Sequence, residues 1–249
     1  MDVPHTVDSL EEELARARKL SVEELADAIE SIGFECTHCG ACCRAEPGCD
    51  DPTARPSYSD ATHAESFPAA GGEAHTATIF PDEVRSLLSG QNEATDWRDV
   101  ARPMPYGLSP TEGGELEGET FEWALQTDAC GDCVFYDDAA DDTGGCTVHA
   151  DRPLICQTYP FSVTLDGTSQ PMGEAVDEAG VVRAHECEGL GREIDRADAE
   201  RLADALRERA VHELEEAIAV RDAYEPAAEP GAVVVHDSEG AKRPDGSSR

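Results

Sequence analysis

The strongest constraint on this chain is the spacing of its cysteines. Cys36, Cys39, Cys42 and Cys43 spell C-x2-C-x2-C-C, and Cys130, Cys133, Cys146, Cys156 and Cys187 follow only after a long polar interval that also carries Cys49. An x2 interval lets successive thiolates turn onto one metal or cluster, as in zinc ribbons and ferredoxins. The two groups meet only through folding, so bound metal contributes to stability; a structural zinc in finger peptides supplies about 10–16 kcal/mol apparent.

That contribution matters because apolar material is scarce. Leu, Ile, Val and Phe make up about 17% of the chain, a share that with strong net charge usually signals disorder. The charge is −35, from 54 acidic and 19 basic side chains. Only Lys19 and Lys242 are lysines, and no basic cluster exists, which excludes a phosphate-tracking nucleic-acid binder. Excess acid with almost no lysine fits a protein adapted to concentrated salt, where self-repulsion is screened over roughly 3 Å. No run approaches the roughly 18 apolar residues of a membrane span, and the first residues lack a basic-then-apolar leader. The expected location is therefore cytoplasmic, where thiols stay reduced and clustered cysteines point to metal or redox chemistry before structural disulfides.

Ser9 with Glu12 and Ser21 with Glu24 are capping boxes that open two short helices, the second ended by Gly33. Residues 44–74 read as a disordered-like insertion without fold. A strand over 76–80 leads into a helix opened by Pro81 and stopped by Gly90. Residues 102–119, rich in proline and glycine, read as loop, and further strands are expected at 121–125, 134–136, 146–149, 161–165 and 181–184. A long helix runs from about Asp195 toward Tyr224 with Leu202, Leu206, Ala210, Leu214 and Ile218 facing a core. The fold class is α+β: a small irregular metal-stapled domain with short strands. The expected divisions are a helical hairpin (1–33), a cysteine-cluster domain (34–192), a packing helix (193–225) and a flexible acidic tail (226–249) that Ala232–Val235 could extend as a strand.

Consecutive side chains usually point apart, so Cys42 and Cys43 are not expected to share one mononuclear ion. Two metal positions, or a cluster with a spare thiol, fit the adjacent pair better. Arg44 and Arg152 are cations placed to favour thiolates. The ferredoxin pattern is only partly matched, because Glu46 stands where its fourth cysteine would be. His149 and His185 are expected to support the centre or face solvent rather than ligate. His38 is expected to point away, and His5, His63, His75, His212 and His236 receive no role. A trans bond is expected before Pro160.

Four ordered blocks carry a family resemblance. They are Phe34-x-Cys36-x2-Cys39-Gly40-x-Cys42-Cys43; Cys133-x-Phe135; Cys146-x-Val148-His149-x2-Arg152-Pro153-x2-Cys156-x2-Tyr159-Pro160-Phe161; and Cys187-x-Gly189-x-Gly191. The chain resembles the YkgJ-type cysteine-cluster family, the zinc- or iron-chelating CxxCxxCC domain, over residues 34–192. The resemblance implies that Cys36, Cys39, Cys42, Cys43, Cys133, Cys146, Cys156 and Cys187 hold an iron-sulfur cluster or zinc, with Cys49 and Cys130 additional. Gln157 stands where the family usually places arginine. The family is also similar to part of the flagellin lysine methylase group, which implies protein methylation as an alternative, and a metal-delivery or adaptor role is a third reading. No radical motif, nucleotide loop or acid/base pair supports an enzyme. The partner implied is a metal ion or cluster, with no nucleic acid and no membrane.

Overall fold

The computed structural model describes residues 9–45, 75–91, 94–137, 145–165, 168–169, 175–177, 180–227 and 229–249. The insertion expected over 44–74 lies outside them, apart from Arg44 and Ala45. Their elements form an α+β mixture in two units, Met1–Thr37 with Leu154–Ile218, and His38–Pro153 with Ala219–Arg249.

In the first unit, α1 (Leu10–Ala17) opens with both bonds of its capping box: Glu12 N–H donates to Ser9 Oγ at 3.2 Å and Ser9 N–H to Glu12 Oε2 at 3.0 Å. Helix α2 (Val22–Ile32) starts at Ser21 and stops at Gly33, whose φ of +78° suits glycine. The long helix α6 (Arg196–Ala223) follows its predicted span closely. Leu25 and Ile29 of α2, and Ala203, Leu206, Ala210 and Leu214 of α6, belong to one buried cluster with Phe161, Val163 and Val182. Each large member contributes roughly 1.5–3 kcal/mol by leaving water. The strand residues come from an antiparallel sheet in which β8 (Phe161–Leu165) pairs with β11 (Val182–His185), setting Val163 opposite Val182. Arg209 of α6 is 2% exposed; it donates to Thr158 Oγ1 at 3.0 Å and pairs with Glu213 at 2.7 Å. It thereby fixes the C-terminal end of the short helix Leu154–Thr158, which carries Cys156. The Tyr159–Pro160 peptide is cis, contrary to the trans form expected.

The second unit contains the strands that composition hid. Residues 102–119 are not a plain loop: β2 (Ala101–Pro103), β3 (Leu108–Pro110) and β4 (Leu116–Thr120) lie there. Strands β2 and β3 are edges, where proline removes no ladder bond that a partner needs. Strand β5 (Trp123–Leu125) sits between β1 (Thr78–Ile79) and β2, and α3 (Pro81–Ser89) follows β1 as the sequence predicts.

The flexible tail expected after residue 226 is also corrected. Strands β12 (Val233–Asp237) and β13 (Gly240–Lys242) complete a four-stranded sheet, with β12 parallel to β4. The reason is burial: Val233, Val234 and Val235 are all in the core, and Trp123 Nε1 donates to the buried Asp237 carboxylate at 3.0 Å.

Candidate metal centre

The C-x2-C-x2-C-C segment is a tight loop rather than a helix. Gly40, at φ +70°, opens a 3-10 turn over Ala41–Cys43, closed by a Cys43 N–H to Gly40 carbonyl bond of 2.9 Å. A Cβ on Gly40 would stand 2.2 Å from the Tyr136 ring, so only glycine fits against it. Arg44 lies over that ring at 5.7 Å and donates to the Cys39 carbonyl at 3.2 Å. It braces the loop.

Backbone bonds then draw in the downstream cysteines of the second unit. Cys133 N–H donates to the Cys43 carbonyl at 2.8 Å, and Ala45 N–H to Asp132 Oδ1 at 2.8 Å. Cys146 sits opposite Tyr136 in the two-stranded ladder of β6 (Tyr136–Asp137) and β7 (Gly145–Cys146). Cys42, Cys133 and Cys146 consequently act on one another electrostatically. The Cys42 and Cys43 sulfurs are 3.9 Å apart, so the adjacent pair faces together instead of pointing apart, because the 3-10 turn does not alternate sides as a strand does.

The thiols of this group differ sharply. A hydrogen bond with Cys43 lowers Cys42 to about 7 against the opposing effect of burial, and Arg152 assists. Burial pushes Cys133 up to about 12, reinforced by Cys146 and Cys42. Burial also raises Cys146, with Arg152 opposing. Arg152 therefore fulfils the electrostatic role expected of it, toward Cys42 and Cys146. A soft divalent ion would replace the missing protons and stabilise thiolates that burial alone disfavours.

Cys36, Cys156 and Cys187 belong to the first unit. Glu35 N–H donates to the Gly189 carbonyl at 3.0 Å, and Gly189 N–H to Cys187 Sγ at 3.4 Å. A Cβ on Gly189 would stand 2.3 Å from the Glu35 carbonyl, a close backbone approach, whereas Gly191 meets nothing and is set by its φ of +75°. The Tyr159 hydroxyl bonds the Glu186 carbonyl, joining the chain after Cys156 to the Cys187 turn.

None of the eight cysteines of the matched blocks is in a disulfide, whereas Cys130 is disulfide-bonded; Cys49 lies outside the described residues. The disulfide at Cys130 departs from the expectation that the cysteines point to metal or redox chemistry before structural disulfides. Among the described residues, no three His, Cys, Asp or Glu side chains stand close enough together to hold one ion. The donor set itself, eight soft sulfurs, suits zinc or iron and not magnesium or calcium.

The histidines divide clearly. His38 does not stand alone: its ring lies 4.9 Å from that of His149, and both residues are exposed. His185 is buried and bonded to Ser162 at 2.9 Å. Sequence reading missed His75, which has no ligand spacing to any cysteine yet lies beside the Cys42 carbonyl with Nδ1 shielded from solvent. Burial holds its imidazole neutral, at about 4.

A family model described as "CxxCxxCC: putative zinc- or iron-chelating domain" matches residues 35–188. No curated protein and no solved structure matches the chain. No helix among the described residues is long and apolar enough to cross a membrane.

Proposed function

Because the chain belongs to the CxxCxxCC family of zinc- or iron-chelating domains, we propose that it is a metal-binding protein whose candidate ligands are Cys36, Cys39, Cys42, Cys43, Cys133, Cys146, Cys156 and Cys187. One observation carries this reading: none of these eight cysteines is in a disulfide, while Cys130, outside the set, is. Thiols outside disulfides at ligand spacing are available to metal. The four blocks ally the chain with the YkgJ-type proteins within the family.

The thiols form two groups by unit, Cys36, Cys156 and Cys187 in the first and Cys39, Cys42, Cys43, Cys133 and Cys146 in the second. The net charge of −35 supports a protein that works in concentrated salt.

The test is metal and acid-labile sulfide per chain, on protein purified anaerobically in high salt. Iron with matching sulfide and absorption near 400 nm establishes an iron-sulfur cluster; zinc without sulfide establishes a thiolate zinc centre. Protein that holds neither after reconstitution overturns the proposal.

A further inference from the structure

We propose that Phe121 and Tyr224 form a docking site for an arginine side chain on a basic segment of a partner protein. The inference is independent of the metal-binding reading and uses residues that the cysteine spacing leaves out.

The site lies within the second unit, where β4 and β12 run parallel. Val235 pairs with Thr120, so the next residues along, His236 and Phe121, come side by side. Their rings stack, with centroids 5.3 Å apart and planes 23° apart. Tyr224, just past the end of α6, closes the group at 5.6 Å from Phe121 and 4.8 Å from His236. His236 is 1% exposed and its Nε2 lies 2.9 Å from Glu119 Oε1, so it forms a fixed floor. Phe121 and Tyr224 are instead 49% and 39% exposed. Tyr106 is exposed in the turn that presses Gly107 against the Glu119 carbonyl, and these three are the exposed large apolar side chains among the described residues. In a chain that is only 5% aromatic, such a concentration of open ring surface marks an interaction site.

Charge decides what covers it. The sequence has no Arg or Lys from Pro103 to Asp151 or from Asp222 to Ala241, so the segments that build the patch bring no cation to it. Arg249, which donates to the Ala227 carbonyl, is committed to Glu229. Glu119 is held below the usual carboxylate range by its bonds with His236 and the Ala227 N–H, and so stays ionised beside the rings. Glu122 and Glu225, the residues that follow Phe121 and Tyr224, are exposed and make no ion pair among the described residues. A second copy of the chain would bring another −35 to this face, which disfavours self-association there. A cation over the ring faces satisfies both the aromatic surface and the carboxylates. Guanidinium suits the site better than ammonium because it is planar, weakly hydrated and stacks on aromatic rings.

The experiment titrates the full chain with two short peptides, glycine alternating with arginine and glycine alternating with lysine, in multimolar KCl, where attraction to the diffuse net charge is screened. Proton NMR follows the rings of Phe121 and Tyr224. The arginine peptide is expected to shift both rings and to bind more tightly than the lysine peptide. Phe121→Leu keeps apolar bulk over His236 but removes the π face, and should weaken binding about two- to fivefold; Phe121→Trp should bind at least as well as wild type. Wild-type rings that do not shift, or equal affinity in wild type and Phe121→Leu, overturn the proposal. A wild-type dimer in sedimentation that Phe121→Leu abolishes overturns it too, by assigning the face to a second copy of the chain. Because the ring shifts are read first on unaltered protein, a variant that fails to fold does not decide the matter.

Discussion

Replacing Gly40 with alanine tests whether the cysteine loop is set by its contact with Tyr136. Two penalties add. At φ +70° a Cβ disfavours the left-handed conformation by roughly 1–2 kcal/mol. The same Cβ would lie 2.2 Å from Tyr136 Cε2 and 2.7 Å from Cζ, inside any real contact, and the ring is buried under Arg44 and cannot swing freely. Overpacking of this kind costs typically about 1–3 kcal/mol, so Gly40→Ala should lose about 2–5 kcal/mol in urea unfolding of the chelated protein. The two parts separate in a double-mutant cycle. In a Tyr136→Ala background the steric part vanishes and only the roughly 1–2 kcal/mol of backbone cost remains. Metal affinity should fall in Gly40→Ala as well, since Cys39 and Cys42 flank the displaced turn. A loss within about 0.5 kcal/mol of zero, or an equal loss in both backgrounds, would refute the reasoning.

Three further outcomes follow from the same geometry. Arg209→Ala should destabilise the protein by about 2–4 kcal/mol, measured by denaturant titration, because it removes a buried guanidinium that pairs with the part-buried Glu213 and bonds Thr158; no change beyond about 1 kcal/mol would count against a structural role. Glu239 is held below the usual carboxylate range by Lys242 and then Arg85, so its contribution is complete above pH 4.5 and lost as pH falls through its depressed value; Glu239→Gln should flatten stability against pH in that acid window, and parallel curves would contradict it. Metal affinity should rise with pH through neutral and on beyond 9, since Cys133, pushed to about 12, and Cys146, also raised by burial, must release protons on binding; an isothermal titration in two buffers of different ionisation enthalpy that finds no proton release would exclude these thiols as ligands.

Legibility in the sequence follows the strength of local signals. Ser9 and Ser21 with their glutamates, Pro81, Gly33 and the Leu206-Ala210-Leu214 stripe mark helices by interactions made within a few residues, and those helices are present. Strands β2 to β4 escaped because Pro103 and Pro110 look like breakers when edge placement is unknown. Strand β12 was only half visible, since the Val233–Val235 run is too short to outweigh its acidic surroundings until its partner is known. At the site, cysteine spacing named the thiols, but nothing local announces that Cys130 is oxidised or that His75 folds against Cys42. Those facts depend on segments brought together from far apart in the chain.

The parallel pairing of β12 with β4 has a consequence for biosynthesis. Val233 lies beside Gly118, so β4 emerges from the ribosome long before the strand that flanks it, and the whole of Leu154–Ile218 is made in the interval. The first unit can therefore finish while the second still waits for its last strands. Cys39, Cys42, Cys43, Cys133 and Cys146 are all synthesised by then, in a unit whose four-stranded sheet is still unfinished. Metal supply and protection from oxidation at that stage, before the final strands lock, would set how much metal-loaded protein a cell obtains.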